Sequence, residues 1–341
     1  MSSTNAKNKA ANSGESGSEK KPGADIFLDK TLRPHTWEEY IGQERVKENL
    51  RILLQAAVKR EQPPEHMLFY GPPGVGKTTL AFLIAKEIKG NLKVTSGPAI
   101  SRVGDLASLI TNLEKGDVLF IDEIHRLNKS IEEVLYPAME SGVLDIIIGK
   151  GPSARSIQLE LPPFTLVAAT TQYAEISAPL RSRFSGGTYH LAPYTIQEIE
   201  RIVARSATIV GAHITTDGVH EIARRSRFTP RTANYLLKRC RDFAEVHDKQ
   251  LDKHTVEEAL LLLGVDERGL MDRDREILIA IIEKFNGGPV GLNTIAAAVA
   301  EEERTIQDVH EPFLIQVGFI ERTPRGRSVT EHGYQHMQKE R

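Results

Sequence analysis

The feature that most constrains this chain is a glycine-rich segment at residues 71–79, with the sequence GPPGVGKTT. It matches the phosphate-binding pattern G-x-x-x-x-G-K-[ST] at every fixed position. Residues 66–70 before it predict a short buried strand, and residues 78–89 after it have the apolar spacing of a helix. A glycine-rich turn between a strand and a helix N-terminus surrounds phosphate oxygens with backbone N–H groups. The sequence therefore predicts a nucleoside triphosphate site.

Two side chains in this segment have chemistry suited to a triphosphate. Lys77 supplies a positive charge to the β- and γ-phosphate oxygens, and the Thr78 hydroxyl can be a Mg²⁺ ligand. We therefore expect a nucleoside triphosphate and Mg²⁺ at this site.

A second part of this site is predicted at residues 117–123, which read DVLFIDE. The apolar run is typical of a central parallel strand, and two acids follow at its end. Asp122 can hold Mg²⁺ through water, and Glu123 can act as general base towards the attacking water. A solvated acidic loop is the alternative, but two acids at this distance from the phosphate loop favour hydrolysis over binding alone.

Two further groups of polar residues follow this strand. Residues 164–169 predict another strand that ends at Thr170 and Thr171, whose hydroxyls can orient a water. Arg181 and Arg183 come next, and arginine suits a transition-state phosphoryl charge because its planar fork is always ionised. A surface arginine pair is usually only solvated, so spacing alone does not decide between a catalytic role and a solvated surface.

Composition limits the class of protein but does not identify it. A length of 341 residues predicts two or three domains, and 40% hydrophobic with 26% charged residues is ordinary globular composition. No apolar run reaches the roughly 20 residues that span a bilayer, and the N-terminal residues contain no apolar segment of the kind that a signal peptide carries. The single cysteine, Cys240, fits a reducing compartment. We expect a cytoplasmic protein with no membrane partner; the net charge of −2 gives no global signal for nucleic acid.

The order of patterns along the chain predicts several domains. Residues 1–25 have almost no apolar content and predict a disordered tail. A helical pattern over residues 29–60 is followed by alternating strands and helices, which predict a mostly parallel sheet. Residues from about 193 to 264 look entirely helical. From about 266, three helical patterns precede a short hairpin.

Two predicted hairpins are candidate binding surfaces. Apolar runs at residues 144–148 and 154–161 flank a Gly/Pro turn, and such an Ile-rich hairpin is either a covered sheet edge or a protein-binding surface. The C-terminal hairpin carries Arg322, Arg325 and Arg327, which can bind phosphates without reading bases.

The ordered motifs of the whole chain resemble those of the RuvB family, the AAA+ motors of Holliday-junction branch migration. The resemblance covers residues 28–338, including C-terminal motifs that a generic AAA+ protein would not share. The motifs, in chain order, are LRP, YIGQ, GPPGVGKTTLA, LFIDEIHRL, LYPAME, GPSARSIQLELPPFTLVAATT, PLRSRF, TPR, LGVDE, EKFNGGPVGL and RTPRGR.

The resemblance implies a fold and a function. The fold is an α/β AAA+ core with a parallel sheet and helices on both faces (26–192), an all-α lid (193–265) and a winged-helix domain (266–341). The function is an ATP-driven motor for recombination and repair that acts as a homo-hexamer on duplex DNA and Holliday junctions. RuvA would bind through the 144–161 hairpin, and RuvC would join the wider complex.

The resemblance also assigns roles position by position. Thr171 is expected to be sensor 1, with Thr170 the less favoured choice; Arg183 is expected to be an arginine finger acting on a neighbouring subunit, and Arg231 to be sensor 2. The catalytic set is Lys77, Asp122, Glu123, Thr171, Arg183 and Arg231, with Thr78 and Asp122 as metal ligands. The nucleotide-contacting set is Leu32, Arg33, Tyr40, Ile41, Gly74, Gly76, Lys77, Thr78, Thr79, Glu140, Ser141, Gly142, Arg183, Tyr194, Pro230 and Arg231. The DNA-contacting set is Arg322, Arg325 and Arg327.

Two other functions remain compatible with the nucleotide motifs. A clamp-loader-like or protein-remodelling AAA+ ATPase would share them but would not need the C-terminal arginine hairpin. A winged-helix regulator that uses ATP only as an assembly switch would be favoured by the loss of Glu123, and Glu123 is present.

Overall fold

The computed structural model describes residues 31–148 and 155–338. The predicted disorder of residues 1–25 and the predicted turn at residues 149–153 lie outside this part of the chain. The chain divides into two compact units, Met1–Arg33 and Pro34–Arg341. In the first unit, Thr31 and Leu32 are helical. The elements below belong to the second.

A parallel five-stranded sheet with the strand order β2-β3-β6-β1-β7 forms the centre of the N-terminal half. The predicted strands before the phosphate loop, before the two acids and before the two threonines are all present and lie side by side. The strands are β1 (Met67–Tyr70), β2 (Leu92–Ser96), β3 (Val118–Asp122), β6 (Thr165–Thr170) and β7 (Thr188–His190).

Both faces of this sheet are buried, as a central parallel strand requires. In β3, Val118 and Phe120 contribute to one apolar core, while Leu119 and Ile121 contribute to another on the opposite face. The first core is covered by two helices, and the second by two others. The helices are α1 (Glu44–Lys59) and α2 (Lys77–Glu87) on one face, and α3 (Val103–Thr111) and α4 (Lys129–Glu140) on the other.

The first helix is shorter than the pattern over residues 29–60 predicts. It begins at Glu44, because Gly42 (φ 78°) and Gln43 (φ 56°) both have left-handed backbone conformations that interrupt a right-handed helix. A Cβ at Gly42 would lie 2.7 Å from Cε1 of Tyr194, so only glycine fits this turn. Ile41 therefore precedes the helix and belongs to the loop beside Tyr40.

An antiparallel hairpin lies between α4 and β6, at the place that the sequence predicts. It pairs β4 (Val143–Ile148) with β5 (Arg155–Glu160). Leu144 is buried, whereas Ile157 and Leu159 have exposed side chains. The hairpin therefore presents apolar surface to solvent.

The predicted helical region follows a short helix, α5 (Ala178–Arg181), and the last strand of the sheet. Thr195 begins it as the N-cap of α6, since its side chain accepts from Glu198 N while Glu198 accepts from Thr195 N. Its helices are α6 (Ile196–Ile209), α7 (Thr216–Arg224), α8 (Pro230–Val246) and α9 (Lys253–Leu262).

The C-terminal residues form a winged-helix arrangement, as predicted. Leu278, Ile281, Leu314, Phe319 and Tyr334 share a separate apolar core. Its helices are α10 (Asp272–Ile279, continued by the π-helical Ala280–Lys284), α11 (Leu292–Val299), α12 (Glu303–Thr305, the π-helical Ile306–His310 and Glu311–Gln316) and α13 (Glu331–His336). The wing is the hairpin of β8 (Ile320–Thr323) and β9 (Gly326–Val329). Among the helices of residues 31–148 and 155–338, none has the length and hydrophobicity of a membrane-spanning helix.

Candidate functional site

The phosphate loop joins β1 to α2, and its glycines are required by close approaches of the surrounding chain. Gly71, Gly74 and Gly76 all have positive φ. A Cβ on Gly71 would lie 2.2 Å from the Leu191 carbonyl oxygen, and one on Gly76 would lie 2.7 Å from the Tyr40 hydroxyl. The loop therefore keeps its backbone N–H groups together at the helix N-terminus.

Two buried tyrosines fix the back of this loop. The hydroxyls of Tyr40 and Tyr194 both donate to the Val75 carbonyl oxygen, at 3.3 and 3.2 Å. Burial raises the pKa of Tyr194 to about 12 and the pKa of Tyr40 well above its usual value. Both hydroxyls therefore stay protonated as donors at neutral pH.

Lys77 lies in the loop with its side chain folded back onto the backbone. Its Nζ donates to the carbonyl oxygens of Gly71 (2.8 Å) and Pro72 (2.9 Å), and the residue is buried. Burial lowers the pKa of Lys77, although the nearby charges of Glu123 and Asp122 act in the opposite direction. A buried cation held only by carbonyl oxygens can exchange them for phosphate oxygens.

The lid contacts the phosphate loop directly. Arg231, in the first turn of α8, donates its backbone N–H to the Gly74 carbonyl oxygen at 3.4 Å. A Cβ on Gly74 would lie 3.0 Å from Cβ of Arg231. Pro230 is the first residue of α8, behind the N-cap Thr229. The structure therefore brings the predicted sensor 2 residue to the phosphate loop.

The two acids at the end of β3 have different surroundings. Burial and the neighbouring Glu123 charge raise the pKa of Asp122, while Lys77 lies close enough to attract it. Glu123 has a left-handed backbone (φ 48°, ψ 49°), which costs a non-glycine residue energy and is typical of functional sites. Gly97 permits this turn, because a Cβ there would lie 2.4 Å from the Glu123 carbonyl oxygen.

The predicted sensor threonine holds the predicted base. Thr171 donates to Oε2 of Glu123 from its hydroxyl at 3.0 Å and from its backbone N–H at 3.1 Å. Thr170 points elsewhere, since its hydroxyl shares a 2.9 Å hydrogen bond with Nδ1 of His125 and accepts from Gln172 N. Between the two threonines, the geometry favours Thr171 as the sensor.

His125 is a site residue that the sequence reasoning missed. Its Nδ1 lies 3.3 Å from Oε2 of Glu123, and its side chain is 3% exposed. Burial lowers its pKa, so a neutral ring is favoured. Its position two residues after the acid pair, in DEIH, was a readable signal.

The candidate metal ligands, Thr78 and Asp122, suit Mg²⁺ better than a metal ion whose ligands all come from protein side chains. Thr78 and Asp122 offer one hydroxyl and one carboxylate, both oxygen ligands. Among residues 31–148 and 155–338, no group of three or more His, Cys, Asp and Glu side chains is placed to hold a metal. Mg²⁺ typically keeps water and phosphate ligands beside one or two protein oxygens, which matches this set.

Arg183 lies against α4 at the end of the sheet. Its guanidinium is 3.2 Å from Glu140, donates to the Pro179 carbonyl oxygen at 2.6 Å and stacks over the Tyr136 ring at 4.2 Å. The structure thus groups Glu140 with the predicted finger. Ser141 caps α4, and the Gly142 carbonyl accepts from Leu161 N.

The three wing arginines differ in whether their side chains pair with an acid of the same domain. Arg327 makes two hydrogen bonds to the Glu311 carboxylate (3.1 and 2.9 Å), and Arg322 makes one at 2.9 Å. Glu311 is 2% exposed, and although burial alone would raise its pKa, these two arginines hold it below the usual value. Arg325 is exposed at the hairpin turn. Nothing in the sequence indicated that Glu311 would occupy this position.

For the remaining predicted nucleotide-contacting residues, the structure gives position and burial. Thr79 is half-buried in the first turn of α2, and Ile41 is half-buried beside Tyr40. Leu32 and Arg33 belong to the first compact unit, so their contact with adenine stays a prediction.

Three family models match the chain in succession. Residues 32–190 match the Holliday junction DNA helicase RuvB P-loop domain, residues 194–266 the RuvB AAA lid domain, and residues 267–338 the RuvB C-terminal winged helix domain. Together they cover residues 32–338 except for 191–193.

Individual proteins agree with these models. The chain is 54% identical over 316 residues to the Holliday junction branch migration complex subunit RuvB of Fusobacterium nucleatum, covering 92% of this chain and 95% of that protein. It is 46% identical to the solved RuvB Holliday junction branch migration motor of Thermotoga maritima, with a TM-score of 0.82 over 91% of this chain and 99% of the other. A mutant of the latter gives a TM-score of 0.84 over the same shares at the same identity.

Proposed function

The chain belongs to the RuvB family of Holliday-junction branch-migration motors, and we propose that it drives this reaction with the residues described above. The single observation that carries the residue assignments is that one sheet edge joins the phosphate loop, Asp122 and Glu123, and Thr171. Each strand contributes its functional residues at its carboxyl end, as nucleotide-binding parallel sheets do.

Triphosphate binding is the first step that these residues would perform. The backbone N–H groups of the loop would surround the phosphates, and Lys77 would exchange its two carbonyl partners for β- and γ-phosphate oxygens. Tyr40 and Tyr194 support this role because they hold the loop from behind. Arg231 would approach the γ-phosphate from the lid.

Hydrolysis would use Glu123 as the base. Thr171 holds one carboxylate oxygen of Glu123, so the other oxygen can accept a proton from the attacking water. Thr78 and Asp122 would hold Mg²⁺, which would neutralise charge on the phosphates. Arg183 would complete the site of a neighbouring subunit, which requires release of its contact with Glu140.

Assembly and partners follow from the family. We propose a homo-hexameric ring on duplex DNA in the cytoplasm, placed at the junction by RuvA, with RuvC in the wider complex. The exposed Ile157 and Leu159 of the β4–β5 hairpin support it as the RuvA-binding surface, because apolar side chains there lack a cover within this chain's described residues. The wing, with Arg322, Arg325 and Arg327, would contact DNA phosphates.

One assay tests this function as a whole. ATP turnover is measured alone, with linear duplex and with a four-way junction, each with and without the cognate RuvA. We expect basal turnover, stimulation by DNA, and further stimulation by RuvA on the junction. The protein-remodelling alternative would show turnover that is indifferent to DNA; the match of residues 267–338 to a RuvB winged-helix domain argues against it.

A further inference from the structure

The third winged-helix helix, residues 303–316, contacts the segments that carry both predicted nucleotide sensors. The first contact, called here the Gln172–Asp308 joint, is a 3.0 Å hydrogen bond that the Asp308 carboxylate accepts from Nε2 of Gln172. Gln172 directly follows Thr171, the threonine that holds Glu123. One end of the sensor strand therefore bonds both the general base and the winged-helix domain.

A second joint connects the same helix to the lid. Nδ1 of His310 lies 2.6 Å from the Asp274 carboxylate, and the other oxygen of this fully buried carboxylate accepts from Arg227. The Arg227 guanidinium also stacks over the Phe313 ring at 4.6 Å. Arg227 lies four residues before Arg231, whose backbone contacts the phosphate loop.

The lid segment at this joint has an unusual backbone. Arg227 (φ 53°) and Phe228 (φ 56°) are consecutive left-handed non-glycine residues. The Phe228 side chain packs on the winged-helix core, while its carbonyl accepts from Tyr194 N at 2.9 Å. Strain of this kind persists only where the surroundings hold it, and it is typical of switch segments.

A third contact leads from the helix to the wing. Glu311 binds Arg322 and Arg327, two of the three wing arginines proposed to meet DNA. Asp308 and His310 lie in the π-helical segment Ile306–His310, and Glu311 follows it at once. Short π-helical segments are frequent at functional sites.

We propose that helix 303–316 transmits the nucleotide state to the DNA-binding wing within one subunit. A movement of the sensor 1 strand reaches the helix through Asp308, and a movement of the sensor 2 segment reaches it through His310 and Asp274. Glu311 then transmits the movement of the helix to the wing arginines. The proposal rests on the proposed function, because it needs both ATP hydrolysis and DNA binding. It adds that neither Gln172 nor Asp308 acts on ATP or DNA itself.

The first experiment breaks the Gln172–Asp308 joint in the full chain. Gln172→Ala, Asp308→Ala and the double variant are compared in ATP turnover with and without saturating duplex. We expect unchanged turnover without DNA and a DNA-stimulation factor reduced by about 2- to 30-fold, the range of coupling changes seen for residues between sites. The double variant should lose no more than either single one, because both remove the same bond.

Two matched controls separate this bond from its surroundings. Asp308→Asn keeps an oxygen that accepts from Gln172 but loses the ion pair with Arg304, so it should retain stimulation. Arg304→Ala removes the same ion pair from the other side and should also retain it. If Asp308→Asn loses as much stimulation as Asp308→Ala, the charge matters and the proposed joint does not.

The lid joint is tested by removing both of its charges together. Arg227→Gln with Asp274→Asn removes the buried carboxylate together with the guanidinium that pairs with it and keeps an oxygen that can accept from His310, so a folded protein is expected. Stimulation should fall as it does for Asp308→Ala, with duplex affinity in the absence of nucleotide unchanged. Should this variant unfold, the Gln172 and Asp308 variants decide alone. Wild-type stimulation in those variants, with wild-type turnover and DNA affinity, would overturn the proposal; absence of turnover or DNA binding in the unmodified protein would instead overturn the proposed function.

Discussion

The Thr171 hydroxyl donates a 3.0 Å hydrogen bond to Oε2 of Glu123, and the Thr171 backbone N–H donates to the same oxygen. Thr171 follows β6 and Glu123 follows β3, and these two strands are parallel neighbours in the sheet. The bond therefore depends on the register between the two strands. It ties the orientation of the proposed base to the residue proposed to detect the γ-phosphate.

Glu123→Gln should bind ATP and fail to hydrolyse it. The amide keeps the size of the side chain and the oxygen that accepts from Thr171, but it cannot take a proton from water. General-base catalysis contributes about 10²–10⁴-fold in rate, so the loss should be large. ATP affinity and single-turnover hydrolysis measure the two effects separately; normal turnover would mean that the base is another residue.

Lys77→Ala should abolish productive ATP binding. The Lys77 ammonium is buried in the loop and held by two carbonyl oxygens, ready to meet phosphate oxygens. Lys86→Ala is the control, because Lys86 lies on the same helix and bonds the distant His35 carbonyl. Equilibrium binding of a fluorescent ATP analogue measures both, and equal affinity for the two variants would contradict the assignment.

Arg183→Ala should bind ATP normally and lose most hydrolysis. Arginine fingers contribute about 10³–10⁵-fold in GTPases, so even a weak finger is measurable. Mixing Arg183→Ala with Lys77→Ala subunits should restore turnover at shared interfaces, because each supplies what the other lacks. No recovery in mixed rings of verified assembly argues against a finger acting between subunits, and a defect confined to Arg181→Ala would select the other arginine.

The wing arginines should separate into two classes. Arg325→Ala should weaken DNA binding equally for all sequences and lower the salt slope by roughly one unit, without changing the melting temperature. Arg327→Ala should also destabilise the winged-helix domain by about 1–3 kcal/mol, because it removes a partner of the buried Glu311 carboxylate. Anisotropy titrations and thermal melts distinguish them; identical melts for both variants would contradict the structural role of Arg327.

Acid should weaken the winged-helix domain through Glu311. Its folded-state pKa is lower than its unfolded value, so its contribution to stability is complete above the unfolded pKa, about 4.3, and is lost as pH falls through the folded pKa. Glu311→Gln should be less stable near neutral pH and should flatten this part of the pH dependence. The free energy of unfolding from pH 7 to pH 3 measures it, and parallel curves for both proteins would refute the assignment.

Local pattern predicted most of the fold and the residues that the structure brings to one edge of the sheet. The phosphate loop, the acid pair and the strand before Thr171 each follow from a few consecutive residues, so their existence could be read directly. The start of α1 could not, because left-handed conformations at Gly42 and Gln43 depend on the distant Tyr194 ring.

The contacts that sequence reasoning missed join residues far apart in the chain. His125 beside Thr170, Glu311 beneath Arg327 and Asp308 on Gln172 are set by how the strands, helices and domains pack. No spacing rule predicts such pairs from one sequence. The wing arginines illustrate the consequence, since their place on the C-terminal hairpin was predicted from the sequence, whereas the pairing of Arg322 and Arg327 with Glu311 was not.

Branch migration itself tests the central claim most directly. A labelled four-way junction with homologous arms is incubated with the protein, its cognate RuvA and ATP·Mg²⁺, and the separated duplex products are measured over time. We predict products that require ATP and RuvA and disappear with Glu123→Gln, although that variant still binds ATP and DNA. Product formation at an equal rate by Glu123→Gln, or none by the unmodified protein with active RuvA, would contradict the account.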